Sequence, residues 1–165
     1  MDGIVTLFDT ETTGLIRPDA TDIVKQPYIT EIFCLKVRQK NDQFEIVEEF
    51  EQLINVPIPL DKDITRITGI DDAMLADKPE FSQVYPRLAK FMTGTDRLVA
   101  HNMAFDSSML ANELVRIGKV IQFPWPRHQI CTVEKSMGIE QRRMKLQSLH
   151  EHLFGEPVLT EHEMM

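Results

Sequence analysis

Cysteine is scarce in this chain. Of 165 residues only two are cysteines, Cys34 and Cys131, each in an apolar stretch and neither in a Cys-x-x-Cys or His-containing metal spacing. That excludes a disulfide framework or a cysteine-ligated zinc and leaves reduced core thiols of an intracellular protein. No apolar run reaches the roughly 18 residues a membrane span needs. The first strand begins by Gly3 or Ile4, which leaves no room for a charged and then apolar leader. A soluble, untargeted, cytoplasmic protein is expected. Repeats and low-complexity segments are lacking as well, and with 42% hydrophobic residues the chain reads as a single α/β domain able to bury a core. Positive charge is in deficit, 18 Lys and Arg against 26 Asp and Glu for a net −8. Such a balance argues against tight, sequence-independent binding of duplex nucleic acid, which rests on Lys and Arg.

What the chain has is carboxylates in a telling place. The apolar run Ile4-Val5-Thr6-Leu7-Phe8 reads as a buried strand, and Asp9-Thr10-Glu11-Thr12-Thr13-Gly14 follows it. Side chains two apart on a strand point to one face, so Asp9 and Glu11 converge. Two hard oxygen donors that close repel unless a divalent cation lies between them. Near residue 100 a second apolar strand, Arg97 to His101, exits through Asn102 into a helical pattern beginning Met103-Ala104-Phe105-Asp106. Asp106 is a third carboxylate, at a helix N-terminus that favours an anion.

The two segments together, a strand with Asp-x-Glu-x-Thr-Gly and a later strand with His-Asn-x-x-Phe-Asp, resemble the first two motifs of the DEDD-type 3′→5′ exonucleases, histidine subclass. Ile64 to Ile70 and Lys145 to Gly155 resemble that family's intervening short helix and the helix before its last motif, so the likeness runs along nearly the whole chain. It implies an RNase H-like three-layer α/β fold: a central mixed sheet, an antiparallel meander followed by parallel strands, flanked by helices. The last motif departs from the pattern. Thr160-Glu161-His162-Glu163 supplies a His, but the Asp expected five positions later would fall at 167. Thr160 and Glu163 also fit a capping box, and the few residues after it cannot sustain a helix. The expectation is therefore a single exonuclease domain, 1–165, lacking its C-terminal helix.

By resemblance, Asp9, Glu11 and Asp106 would hold two Mg2+ or Mn2+ ions, with Asp9 bridging and Asp106 supporting the second ion through water. His162 would take the proton, a role that suits an imidazole of ordinary pKa about 6.5. Thr10, Thr12, Leu15, Asn102 and Phe105 would meet the terminal nucleotide, the hydroxyls and amides as donors and Leu15 and Phe105 against the base. The substrate implied is a single-stranded 3′ end, DNA before RNA, cut to nucleoside monophosphates, with a DNA polymerase or another replication or repair protein as partner. Bound cations would offset the acidic balance locally. Arg142, Arg143 and Lys145 form the compact basic cluster, readable as a phosphate-contacting rim or a solvated loop. His101, His128, His150 and His152 show no metal-ligand spacing and are assigned no chemistry.

Two other readings compete. Asp9, Glu11 and Thr13 partly match the Asp-x-Asp-x-Thr of haloacid-dehalogenase-like phosphatases, but a parallel α/β sheet should then follow, not a meander. The stronger rival is a catalytically silent module of the same fold that binds nucleic-acid ends or a polymerase. As to local structure, Leu15 to Gln26 reads as a loop. Strands are expected at Tyr28–Gln39 and Phe44–Ile54, joined by a hairpin at Lys40 to Gln43. Helices are expected at Lys62–Ile67, Glu80–Met92, 104–117 and Leu146–Phe154, and a further short strand at Gln129–Thr132.

Overall fold

The computed structural model describes residues 2–140 and 145–155. Strand β1 runs Gly3–Thr12 and pairs antiparallel with β2, Ile29–Lys40, which pairs antiparallel with β3, Gln43–Leu53. The β2–β3 turn, Asn41-Asp42, places both residues at positive φ, 51° and 64°, the backbone hand that matches the twist of a two-residue hairpin and that Asn and Asp tolerate best. Past the meander the chain crosses over twice, so that β4, Arg97–Ala100, lies parallel to β1 and β5, His128–Cys131, parallel to β4. The sheet order is β3-β2-β1-β4-β5. This is the expected mixed sheet.

Helices α1, Lys62–Thr68, and α2, Asp72–Leu75, lie in the connection leading to α3, Phe81–Met92. Glu80 and Gln83 close a capping box at the start of α3, satisfying two otherwise unpaired backbone N–H groups. Helix α4, Met103–Ile117, follows β4 directly, and α5, Thr132–Glu140, and α6, Leu146–Phe154, close the described chain. On the α3/α4 side of the sheet Phe8, Ile32, Cys34 and Leu98 meet Val84, Leu88, Met109, Leu110 and Leu114, all buried. Each such side chain contributes about 1.5–3 kcal/mol relative to exposure. The outer strand β3 is tied down by Phe50, whose ring lies 5.7 Å from that of Phe91 on α3.

Three elements were not expected from the sequence: α2, α5 and a three-residue 3-10 turn at Ile23–Lys25 within the segment read as a loop. Helix α2 is a single turn capped by Asp71, whose side chain accepts from the Met74 N–H, and it buries only Leu75, too little to make a helical period. Helix α5 contains Gly138 and carries a weakly amphipathic pattern. Strand β1 also runs further than its apolar stretch, to Thr12, because cross-strand pairing to Glu31 and, past a bulge, to Ile29 continues the ladder. Asp9 and Glu11 are therefore held within the strand and not beyond its end.

Candidate active site

The alternation of β1 sorts its last four residues. Thr10 and Thr12 are buried on the α4 side, while Asp9 and Glu11 face the other way and keep solvent access. Asp106, in the first turn of α4, is 2% exposed. The Thr10 hydroxyl donates to the Asp106 Oδ1 at 2.6 Å, and this bond joins the strand that carries two of the carboxylates to the helix that carries the third. The Thr12 hydroxyl donates to the Gly14 carbonyl at 2.7 Å and holds the exit turn. Both threonine side chains thus serve the protein's own framework in this structure.

Two of the three carboxylates, Glu11 and Asp106, feel the charge of their neighbours. Burial raises the pKa of Asp9, against lowering by the Thr10 backbone N–H and by His101. Glu11 is raised by burial, then by Asp9 and by Glu31, its cross-strand partner. Asp106 is pushed up to about 7, by burial first and further by Asp9 and Glu11, with the Thr10 hydroxyl pulling the other way. Carboxylates that raise one another's pKa are stabilised in their charged form by a cation placed among them. Their chemistry fits a divalent one: hard, anionic oxygen donors are what Mg2+ or Mn2+ binds. Among the described residues no group of three or more His, Cys, Asp or Glu stands together in a way that could hold a metal ion.

The remaining site residues are placed as follows. Leu15, 78% exposed, stands on the loop after β1. Asn102 adopts the left-handed conformation, φ 75°, and precedes α4 without spending its side chain on capping. Phe105 is half-buried and packs against the core. His162, Arg142 and Arg143 lie outside the described residues, and Lys145 is exposed at the start of α6.

Sequence reasoning missed two neighbours of the carboxylates. Leu7 pairs with Val99 across the parallel β1–β4 ladder, and two residues further on Asp9, still within β1, is reached by the charge of His101, the residue after β4. The imidazole is held by the Thr132 hydroxyl at 2.7 Å from Nδ1 and lowers the Asp9 pKa. The other is Glu31, which stands across from Glu11. Both follow from strand register, a signal absent from spacing within a single segment.

The order of strands, an antiparallel meander continued by two parallel strands with helices packed on it, defines an RNase H-like fold. Residues 6–163 match the family model described as Exonuclease, and the chain belongs to that exonuclease family. It is 34% identical over 122 residues to the DNA polymerase III PolC-type of Caldanaerobacter subterraneus subsp. tengcongensis, an alignment covering 74% of this chain and 8% of that protein. The chain thus spans under a tenth of the length of that relative. Among solved structures, the nuclease domain of 3′hExo, a DEDDh family member bound to rAMP, superposes with a TM-score of 0.74 at 17% identity, covering 97% of this chain and 82% of that one. Exonuclease X in complex with 5′-overhanging duplex DNA gives a TM-score of 0.59 at 23% identity, covering 96% and 80%. The likeness to the DEDD-type exonucleases drawn from the two motifs is borne out, as is the fold it implied. No helix among the described residues is long and apolar enough to cross a membrane.

Proposed function

We propose that this chain is a 3′→5′ exonuclease domain that hydrolyses phosphodiester bonds at single-stranded 3′ ends, DNA in preference to RNA, and releases nucleoside monophosphates. What supports this reading is the placement of Asp9 and Glu11 on one face of β1, with Asp106 tied to the same strand through Thr10, and the raised pKa of all three, Glu11 further raised by Asp9 and Asp106 by Asp9 and Glu11. Asp9, Glu11 and Asp106 would hold two Mg2+ or Mn2+ ions. Bound there, divalent ions supply charge neutralisation at the scissile phosphate and lower the pKa of water. The chain's own residues do the rest: Thr10 holds Asp106 in place, Leu15 and Phe105 flank the terminal base, Asn102 offers an uncommitted amide, and His162 accepts a proton. The relation to DNA polymerase III proteins supports a DNA substrate and a polymerase partner.

The absence among the described residues of a group of three or more His, Cys, Asp or Glu that could hold a metal ion favours a second reading, a silent module that binds nucleic-acid ends without cutting them. One experiment separates the two. With Mg2+ present, a linear single strand, the same strand blocked at its 3′ hydroxyl and a single-stranded circle are incubated with the protein. Release of mononucleotides from the linear strand alone supports the exonuclease. Binding of the linear end without release supports the silent module, and equal digestion of all three contradicts both.

A further inference from the structure

The loop between β1 and β2 is long and nearly without regular structure, yet it is stapled in place. The buried Gln26 amide accepts from the Arg17 N–H at 2.9 Å and donates to the Arg17 and Ala20 carbonyls at 2.7 and 2.9 Å. From α4, Arg116 donates to the carbonyls of Ile23, Gln26 and Pro27 at 2.9, 2.7 and 3.0 Å. Its guanidinium also lies over the Tyr28 ring at 3.8 Å and pairs with the buried Glu113. The loop ends are clipped by the Thr13 N–H to the Tyr28 carbonyl and the Tyr28 N–H to the Thr13 hydroxyl, both 2.9 Å. A loop ordered at this cost in side-chain entropy presents a fixed surface.

That surface is a cleft of about 320 Å³ lined by Leu15, Arg17, Val24, Lys25 and Tyr28 among others. Thr13 and Gly14, two and three residues past Glu11 in the chain, also line it. Arg17 and Lys25 are exposed, and neither pairs with a carboxylate among the described residues. In a chain of net charge −8, two uncommitted cations beside an apolar wall are complementary to an anion that carries a flat apolar group. The exposed Val24 and Leu15 supply the wall.

Resting on the exonuclease reading, we infer that this cleft is a second nucleotide subsite. It takes the strand upstream of the terminal nucleotide, phosphate against Arg17 and Lys25 and base against Val24 and Tyr28. Gln26 and Arg116 are positioning residues that hold the loop in shape. Phosphate contacts by two cations make binding salt-dependent through counterion release, and base contact with apolar and aromatic walls makes it tolerant of sequence.

The test replaces the surface cations, because altering Gln26 or Arg116 would disturb the loop itself. Wild type and the Arg17→Ala/Lys25→Ala double variant are compared by fluorescence anisotropy with a 5′-labelled oligothymidylate of about ten nucleotides, in EDTA, over a range of salt. In parallel, KM is measured with Mg2+ for that oligonucleotide and for the p-nitrophenyl ester of thymidine 5′-monophosphate, which reaches only the terminal subsite. The double variant should bind the oligonucleotide about tenfold more weakly, with the slope of log K against log salt shallower by about 1.4. The advantage in KM of the oligonucleotide over the ester should shrink by a similar factor, and Arg17→Lys should restore most of it. Unchanged affinity and salt slope in the double variant would overturn the subsite. Should wild type cut neither substrate while the double variant still loses binding, the subsite stands and the exonuclease reading fails.

Discussion

Thr10 and Asp106 are joined across 96 positions of sequence by one hydrogen bond of 2.6 Å. It holds the carboxylate whose pKa burial lifts to about 7, and it pulls that value down. Replacing Thr10 by Val keeps the β-branched shape in the buried face of β1 and removes the donor. A lost hydrogen bond to a charged group costs about 1.5–3 kcal/mol, so nuclease activity at neutral pH should fall about tenfold or more and the Mg2+ needed for half-activity should rise. Thr10→Ser should retain both. Activity titrated against Mg2+ for the two variants checks this.

Asp9→Ala should lower the rate about a thousandfold or more, near 4 kcal/mol of transition-state stabilisation. The fold should survive, because Asp9 is solvent-accessible and its charge opposes those of Glu11 and Asp106. Thermal denaturation in EDTA should show Asp9→Ala at least as stable as wild type. A marked loss of stability would show that Asp9 is a structural residue.

The metal-free protein should lose stability as pH rises. Folded Asp106 keeps its proton up to about pH 7, whereas an unfolded Asp releases it near pH 3.9. Between those values the folded chain binds the extra proton, so its stability falls with pH and the loss is complete above about 7. Asp9 and Glu11, also raised by burial, act in the same direction. Mg2+ should reverse the loss above pH 7, and Asp106→Asn should flatten the profile. Melting temperatures at intervals from pH 4 to 8, with and without Mg2+, test both, the range being set by the ordinary and raised carboxyl values.

Arg116→Met should destabilise the domain by about 3–5 kcal/mol, because it strands the buried Glu113 carboxylate without its partner. Burial already raises the Glu113 pKa, and Arg116 opposes that rise. Part of the loss should therefore be recovered when the pH is lowered enough to protonate Glu113. Urea unfolding at neutral and mildly acidic pH reads the difference.

How much of this was visible in the sequence depended on whether a feature was local. The hairpin at Asn41-Asp42, α6 at Leu146–Phe154 and the edges of β2 and β3 within a residue or so followed from turn residues and short-range period, which a single segment displays. Convergence of Asp9 with Glu11 followed from strand alternation. Helices α2 and α5 escaped because one buries a single leucine and the other has little apolar period, so tertiary contact decides them. His101 beside Asp9 and Glu31 across from Glu11 depend on the register between strands. The stapling of the 13–28 loop by Arg116, some 90 residues away, leaves no local trace at all: an arginine near the end of an amphipathic helix reads as solvated until the loop carbonyls are brought over it.

The most direct measurement is the digestion of a 5′-labelled single-stranded oligonucleotide by the protein and its Asp106→Asn variant, across a titration of Mg2+ and in EDTA. A descending ladder that shortens from the 3′ end, appears only with the divalent ion and is lost in the variant is the predicted result. Equal cleavage in EDTA, or full activity in Asp106→Asn, would contradict the assignment of Asp9, Glu11 and Asp106 to a metal-dependent 3′→5′ exonuclease site.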